Sequence, residues 1–72
     1  MKTFSSRLIG LRKAKNLTQE ELGEAIGFTG RAIRNYEGQD RLPKMEVAIA
    51  LADFFDTSLD YLVGRSDTPE RR

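Results

Sequence analysis

The stretch Thr18-Gln19-Glu20-Glu21-Leu22-Gly23, followed by Gly27, Thr29 and Ile33, restricts the fold of this chain more than any other feature. Thr18 and Glu21 have capping-box spacing, in which the hydroxyl and the carboxylate each satisfy an orphan backbone N–H. A helix therefore starts here, with Leu22, Ala25 and Ile26 as its buried stripe. Gly27 follows at once, where a helix end calls for a left-handed residue. Thr29 suits the N-cap of the next helix, expected over residues 29–37, with Ile33 and Tyr36 facing inward and Arg31, Arg34 and Asn35 on the opposite side. Gly23 falls mid-helix, where glycine costs about 1 kcal/mol relative to alanine. That cost is explained if the second helix crosses closely over Gly23 and Ile33 plugs the angle between the two.

The rest of the chain carries the same period. Phe4, Leu8 and Leu11 recur at helical spacing over residues 5–15, leaving Arg7, Arg12 and Lys15 pointing elsewhere, and Asn16 ends that helix. After a loop from Gly38 to Pro43, a fourth helix is expected over 43–55, with Val47, Ala48, Leu51, Ala52, Phe54 and Phe55 as its apolar surface. A short fifth helix over 58–63, capped by Thr57 or Ser58, packs back through Leu59, Leu62 and Tyr61 and stops at Gly64. No alternating β-type run occurs, so the reading is an all-α domain of five helices over residues 1–66, with a polar, frayed tail over 67–72.

Composition removes whole classes of function. Without Cys or His there is no thiol nucleophile, no imidazole base and none of the usual zinc ligands, so no enzyme activity, metal, cofactor or small-molecule ligand is expected. The longest apolar run, residues 47–52, is far too short to cross a bilayer, and the N-terminus lacks a signal-peptide core; a cytoplasmic protein is expected. The net charge of +1 conceals segregation. Residues 1–16 hold five basic side chains and no acid, and 29–44 hold Arg31, Arg34, Arg41 and Lys44 against two acids, whereas 17–28 and 45–64 carry acids alone. One face can thus be basic while another is acidic, which suits contact with phosphate.

Gln19, Gly23, Gly27 and Ile33 stand in the register of a helix-turn-helix. Around them lie Leu11-Arg12, Asn16-Leu17-Thr18-Gln19-Glu20-Glu21-Leu22, Ala25-Ile26-Gly27, Tyr36-Glu37, Leu42-Pro43, Leu51-Ala52 and Ser58-Leu59-Asp60-Tyr61-Leu62. As an ordered set these residues resemble the Xre-like family, the class of phage lambda-type repressors and Cro proteins. The resemblance implies a sequence-specific regulator of transcription, a repressor, that reads double-stranded DNA with its third helix. Carried over position by position, it implies base reading by Arg31 and Asn35, with Arg34 open between base and phosphate, and a groove-facing Gly30 whose missing side chain either narrows the readout or lets the backbone approach the groove closely. It also implies phosphate contacts from Gln19 and Thr18 at the start of the second helix, and from Thr29, Lys44 and Arg41. Arg12 and Glu37 match positions that pair between the first and third helices.

After Glu37 the chain departs from the family pattern: Gly38, Gln39 and Asp40 replace a polar residue, Gly and a basic residue, which shifts the expected left-handed cap by one position. A repressor this small needs a second copy to read two half-sites, so a homodimer is expected through residues 58–63 and neighbouring apolar side chains, Tyr61, Leu62, Val63 and Phe55. The competing reading is a protein-interaction module, such as an antitoxin, whose main partner is another protein. Phe28 and Tyr36 occupy helical core positions and are read as core rather than as base-stacking residues.

Overall fold

Thr3, not Ser5, opens the first helix. Its hydroxyl accepts from the Ser6 N–H and the Ser6 hydroxyl accepts from the Thr3 N–H, a capping box in which serine does the work of the usual glutamate. In the computed structural model, which describes residues 3–39 and 42–70, the order is α1 (Phe4–Ala14), α2 (Gln19–Ala25), α3 (Gly30–Gly38), α4 (Met45–Phe55) and α5 (Leu59–Leu62), with no strand among the described residues. Asn16 ends α1 in the left-handed region at φ 57°, a conformation asparagine tolerates because its short side chain can hydrogen-bond locally. Gly27 and Gly64 turn the chain after α2 and α5 at φ 82° and 86°.

All five helices contribute to one core: Phe4 and Leu8 from α1, Leu22 from α2, Ile33 from α3, Val47, Leu51 and Ala52 from α4, and Leu62 from α5. Each large side chain taken out of water contributes roughly 1.5–3 kcal/mol before entropy is set against it. Tyr36 meets Phe4 edge-on at 5.9 Å between ring centroids, and Tyr36 and Phe28 both pack against the core. No helix among the described residues is long and apolar enough to cross a membrane.

Several expectations need correction. Pro43 lies outside α4, which starts at Met45 with Lys44 as an N-cap that supplies no side-chain bond. Ser58, not Thr57, caps α5: its Oγ accepts from the Tyr61 N–H at 3.0 Å, while Thr57 turns inward and is buried. Ala25 is exposed, while Leu22 and Ile26 carry the inward face of α2. Leu59 is also exposed. Gly38 continues α3, and Gln39 caps it with extended backbone, so the shifted left-handed cap does not form at either residue. Asp40 and Arg41 lie outside the described residues, and with them the phosphate contact expected of Arg41.

Arg7, expected on the solvent side of α1, is buried. Its guanidinium donates to the carbonyls of Tyr61 at 3.2 Å and Ser66 at 3.0 Å, lies 3.8 Å above the Tyr61 ring, and reaches Asp67 Oδ1 at 3.3 Å. The segment after α5 is also tied back, since the Pro69 carbonyl accepts from Thr57 Oγ1 and from the Ser58 N–H, each at 3.1 Å. Pro69 thereby satisfies a buried hydroxyl and a backbone donor that the end of α4 leaves open.

Candidate nucleic-acid interface

The close crossing of α2 and α3 depends on two glycines. A β-carbon on Gly23 would lie 2.5 Å from the Thr29 carbonyl oxygen and 2.6 Å from the Gly30 nitrogen. One on Gly30 would lie 2.8 Å from the Glu20 α-carbon. Only side-chain-free residues allow this approach. Ile33, with no exposed surface, fills the angle beneath it, and Gly27 contributes through its positive φ rather than through space.

Gly30 thus has a different role from the one the resemblance implied. It is buried, and the direction a side chain would take points into the first turn of α2, so it sets the spacing of the helices instead of facing outward. A glycine at the first helical position, where most residues are tolerated, was the available signal.

Because α3 is anchored through Ile33 and Tyr36, its opposite face is exposed, and Arg31, Arg34 and Asn35 all lie on it. Gln39 extends the same surface. Thr29 caps α3 by accepting from the Ala32 N–H at 3.1 Å, and Thr18 caps α2 by accepting from the Glu21 N–H at 3.0 Å. Both hydroxyls keep a hydrogen with which to donate. Lys44 is exposed at the start of α4.

Behind this surface Arg12 and Glu37 form a two-pronged pair: Nε donates to Oε2 at 2.6 Å and Nη2 to Oε1 at 3.0 Å. Their side chains retain 14% and 6% of their exposure, so the pair is largely shielded. The third nitrogen, Nη1, donates to the Leu17 carbonyl at 2.8 Å, which ties the turn before α2 into the same node. The hydrogen bonding of Arg12 to Glu37 raises the Arg12 pKa above the usual arginine value; burial works against it and the Glu37 charge adds to it. A raised base loses its contribution on the alkaline side only above the ordinary arginine range.

Gln19 joins the node from α2. Its Nε2 donates to Glu37 Oε1 at 3.0 Å, and its Oε1 accepts from Arg34 Nε at 3.4 Å. Ser5 braces the far end of α3, donating from Oγ to the Tyr36 carbonyl at 2.7 Å. None of these three contacts was visible in the sequence, because each joins residues on different helices.

The comparisons with known proteins point the same way. A family model described as helix-turn-helix matches residues 8–62. The chain is 37% identical over 67 residues to the helix-turn-helix-type transcriptional regulator YobD of Bacillus subtilis, covering 93% of this chain. It is 38% identical over 69 residues to the cryptic phage CTXphi transcriptional repressor RstR of Vibrio cholerae, covering 96% of it. The chain spans 60% and 62% of the lengths of those two relatives. Its fold matches the crystal structure of the P22 c2 repressor in complex with a synthetic operator, with a TM-score of 0.82 and 27% identity, over 92% of this chain and all of the other. Registered on Gly23, Gly27 and Ile33 and matched over most of its length, this chain belongs to the helix-turn-helix family, in its Xre-like, lambda-repressor form.

Proposed function

We propose that this chain is a non-catalytic, cytoplasmic DNA-binding module that represses transcription by reading the major groove of a specific duplex sequence with α3. The observation that carries the reading is the exposed face of α3, where Arg31, Arg34 and Asn35 stand together on a helix braced by the close α2 crossing and by the Arg12–Glu37 pair. A guanidinium fork matches guanine O6 and N7, and a carboxamide matches adenine N6 and N7. Arg31 and Asn35 are therefore the principal base readers, with Arg34 beside them. Thr18, Gln19, Thr29 and Lys44, with Arg41, are the phosphate-contacting residues in this reading. Support comes from the P22 c2 repressor, whose structure was solved on a synthetic operator, and from the repressor of the CTXphi phage.

A nine-residue helix reaches only a few base pairs, so useful discrimination calls for two copies on two half-sites. We infer a homodimer through the surroundings of α5, where Leu59 and Ile49 are exposed and Phe55, Tyr61 and Val63 are partly so. Leu62 is fully buried in the core and drops out of that surface. Selection of bound duplexes from a random pool tests the whole proposal. Enrichment of a palindrome is the expected result; equal recovery of all sequences would overturn it in favour of a module whose partner is another protein.

A further inference from the structure

We propose that Gln19 is a positioning residue for Arg34, so that Arg34 is a second, preset guanine reader held by a hydrogen-bond relay that begins at the buried Arg12–Glu37 pair. The inference rests on the DNA-reading function proposed above and adds a residue that decides specificity without needing to touch a base.

The relay follows from donor and acceptor chemistry. Glu37 faces Arg12 as a carboxylate, which can only accept, so the side of the Gln19 amide turned toward it must be the NH2 group. That contact decides which way the amide points. Its oxygen is then directed at Arg34, whose Nε lies 3.4 Å away. A second tether reaches the same guanidinium, with Glu20 Oε1 3.9 Å from Nη2. Gly30 makes both possible, because the first turn of α2 can lie against α3 only where no β-carbon intervenes.

An exposed arginine normally samples many rotamers and loses that freedom on binding. Here the side chain of Arg34 remains 61% exposed, and Nε and Nη2 meet Gln19 and Glu20 along one edge, which leaves the Nη1 and Nη2 end of the fork with one hydrogen on each nitrogen for another partner. That end carries the pair of parallel N–H groups that guanine O6 and N7 accept. The outer hydrogen of Gln19 Nε2 is still available to a phosphate, so the two roles of Gln19 are separable by experiment.

The test uses the selected duplex and its single-base-pair variants, titrated with wild type, Gln19→Ala, Arg34→Ala and the double variant. Arg34→Ala identifies the base pair that Arg34 reads. The expected result is that Gln19→Ala lowers preference at that pair by about threefold or more, a part of the roughly tenfold or greater discrimination a two-pronged contact supplies, and that the double variant loses no more preference there than Arg34→Ala alone. A second readout needs no DNA: the Arg34 Nε–Hε group should show restricted motion by nitrogen relaxation relative to Arg31 in wild type, and lose that restriction in Gln19→Ala. Gln19→Met, of similar shape but without the amide, should repeat both results if the alanine variant folds poorly. If Gln19→Ala weakens all duplexes alike with preference intact, or if Arg34 Nε–Hε relaxation does not change, the relay is overturned while DNA reading stands. If wild type enriches no sequence at all, both fall.

Discussion

No β-carbon fits on Gly23: one built there would lie 2.5 Å from the carbonyl oxygen of Thr29, the residue that caps the neighbouring helix. The obstacle is backbone, which cannot rotate aside as a side chain would. Gly23→Ala should therefore destabilise the fold, because about 1–3 kcal/mol of overpacking outweighs the ~1 kcal/mol gained in helix propensity. Gly10 is the internal control, since nothing lies within 4 Å of the position its β-carbon would take on α1. Gly10→Ala should stabilise by about 0.5–1 kcal/mol. Thermal melts of the two variants check the pair of signs; a Gly23→Ala protein as stable as wild type would mean that the helices are not in this close crossing.

Arg12 and Glu37 hold α1 to α3, and either one alone would be a poorly solvated charge. Glu37→Leu or Arg12→Met should each cost about 3–5 kcal/mol, whereas the double substitution should cost much less than the sum, because it removes both charges and leaves apolar volume behind. Urea denaturation of the four proteins gives the coupling directly. Because Arg12 is raised rather than lowered, no loss of this pair is expected on the alkaline side until above the ordinary arginine range.

Much of this architecture was legible because it is written locally. The Thr18–Glu21 capping box, the turn at Gly27, and the inward face of Ile33 and Tyr36 all depend on residues within one or two helical turns. The exposure of Arg31, Arg34 and Asn35 follows from the same period. What was not legible depends on partners far along the chain. Arg7 looks like one more surface charge until Tyr61, Ser66 and Asp67 are brought beside it, and Gly30 looks like a missing reader until Glu20 is found against it. The tie between Gln19 and Arg34 spans 15 residues and exists only because two helices cross. Periodicity specifies which face is buried, but not which polar atom finds which partner.

Arg7 joins α1 to α5 and to the segment that follows. Its contact with Asp67 is exposed on the carboxylate side and contributes little, but the two carbonyls it satisfies are part-buried. Asp67→Ala should change stability by no more than about 1 kcal/mol. Arg7→Met should cost about 1–3 kcal/mol, since it takes the side-chain donor from the Ser66 carbonyl and one of two donors from the Tyr61 carbonyl, which keeps the Gly64 N–H. Hydrogen exchange at α5 amides should quicken in Arg7→Met and not in Asp67→Ala. Equal effects from both variants would assign the work to the ion pair instead.

Arg31 and Lys44 separate the two kinds of DNA contact in the proposed function. Arg31 extends from the first turn of α3 on the exposed face, with a planar fork suited to a base edge, whereas Lys44 is a flexible point charge at the start of α4. Arg31→Ala should lower affinity for the selected duplex by about 1–3 kcal/mol and relax preference at one base pair, with other positions unchanged. Lys44→Ala should weaken binding to all duplexes by a similar factor and reduce the slope of log affinity against log salt by about 1. Titrations at several salt concentrations against matched and single-substituted duplexes distinguish the two patterns. Should Arg31→Ala change only the salt slope while Lys44→Ala relaxes a base preference, the helix entering the groove would not be α3, and the orientation of the domain on DNA would have to be reversed.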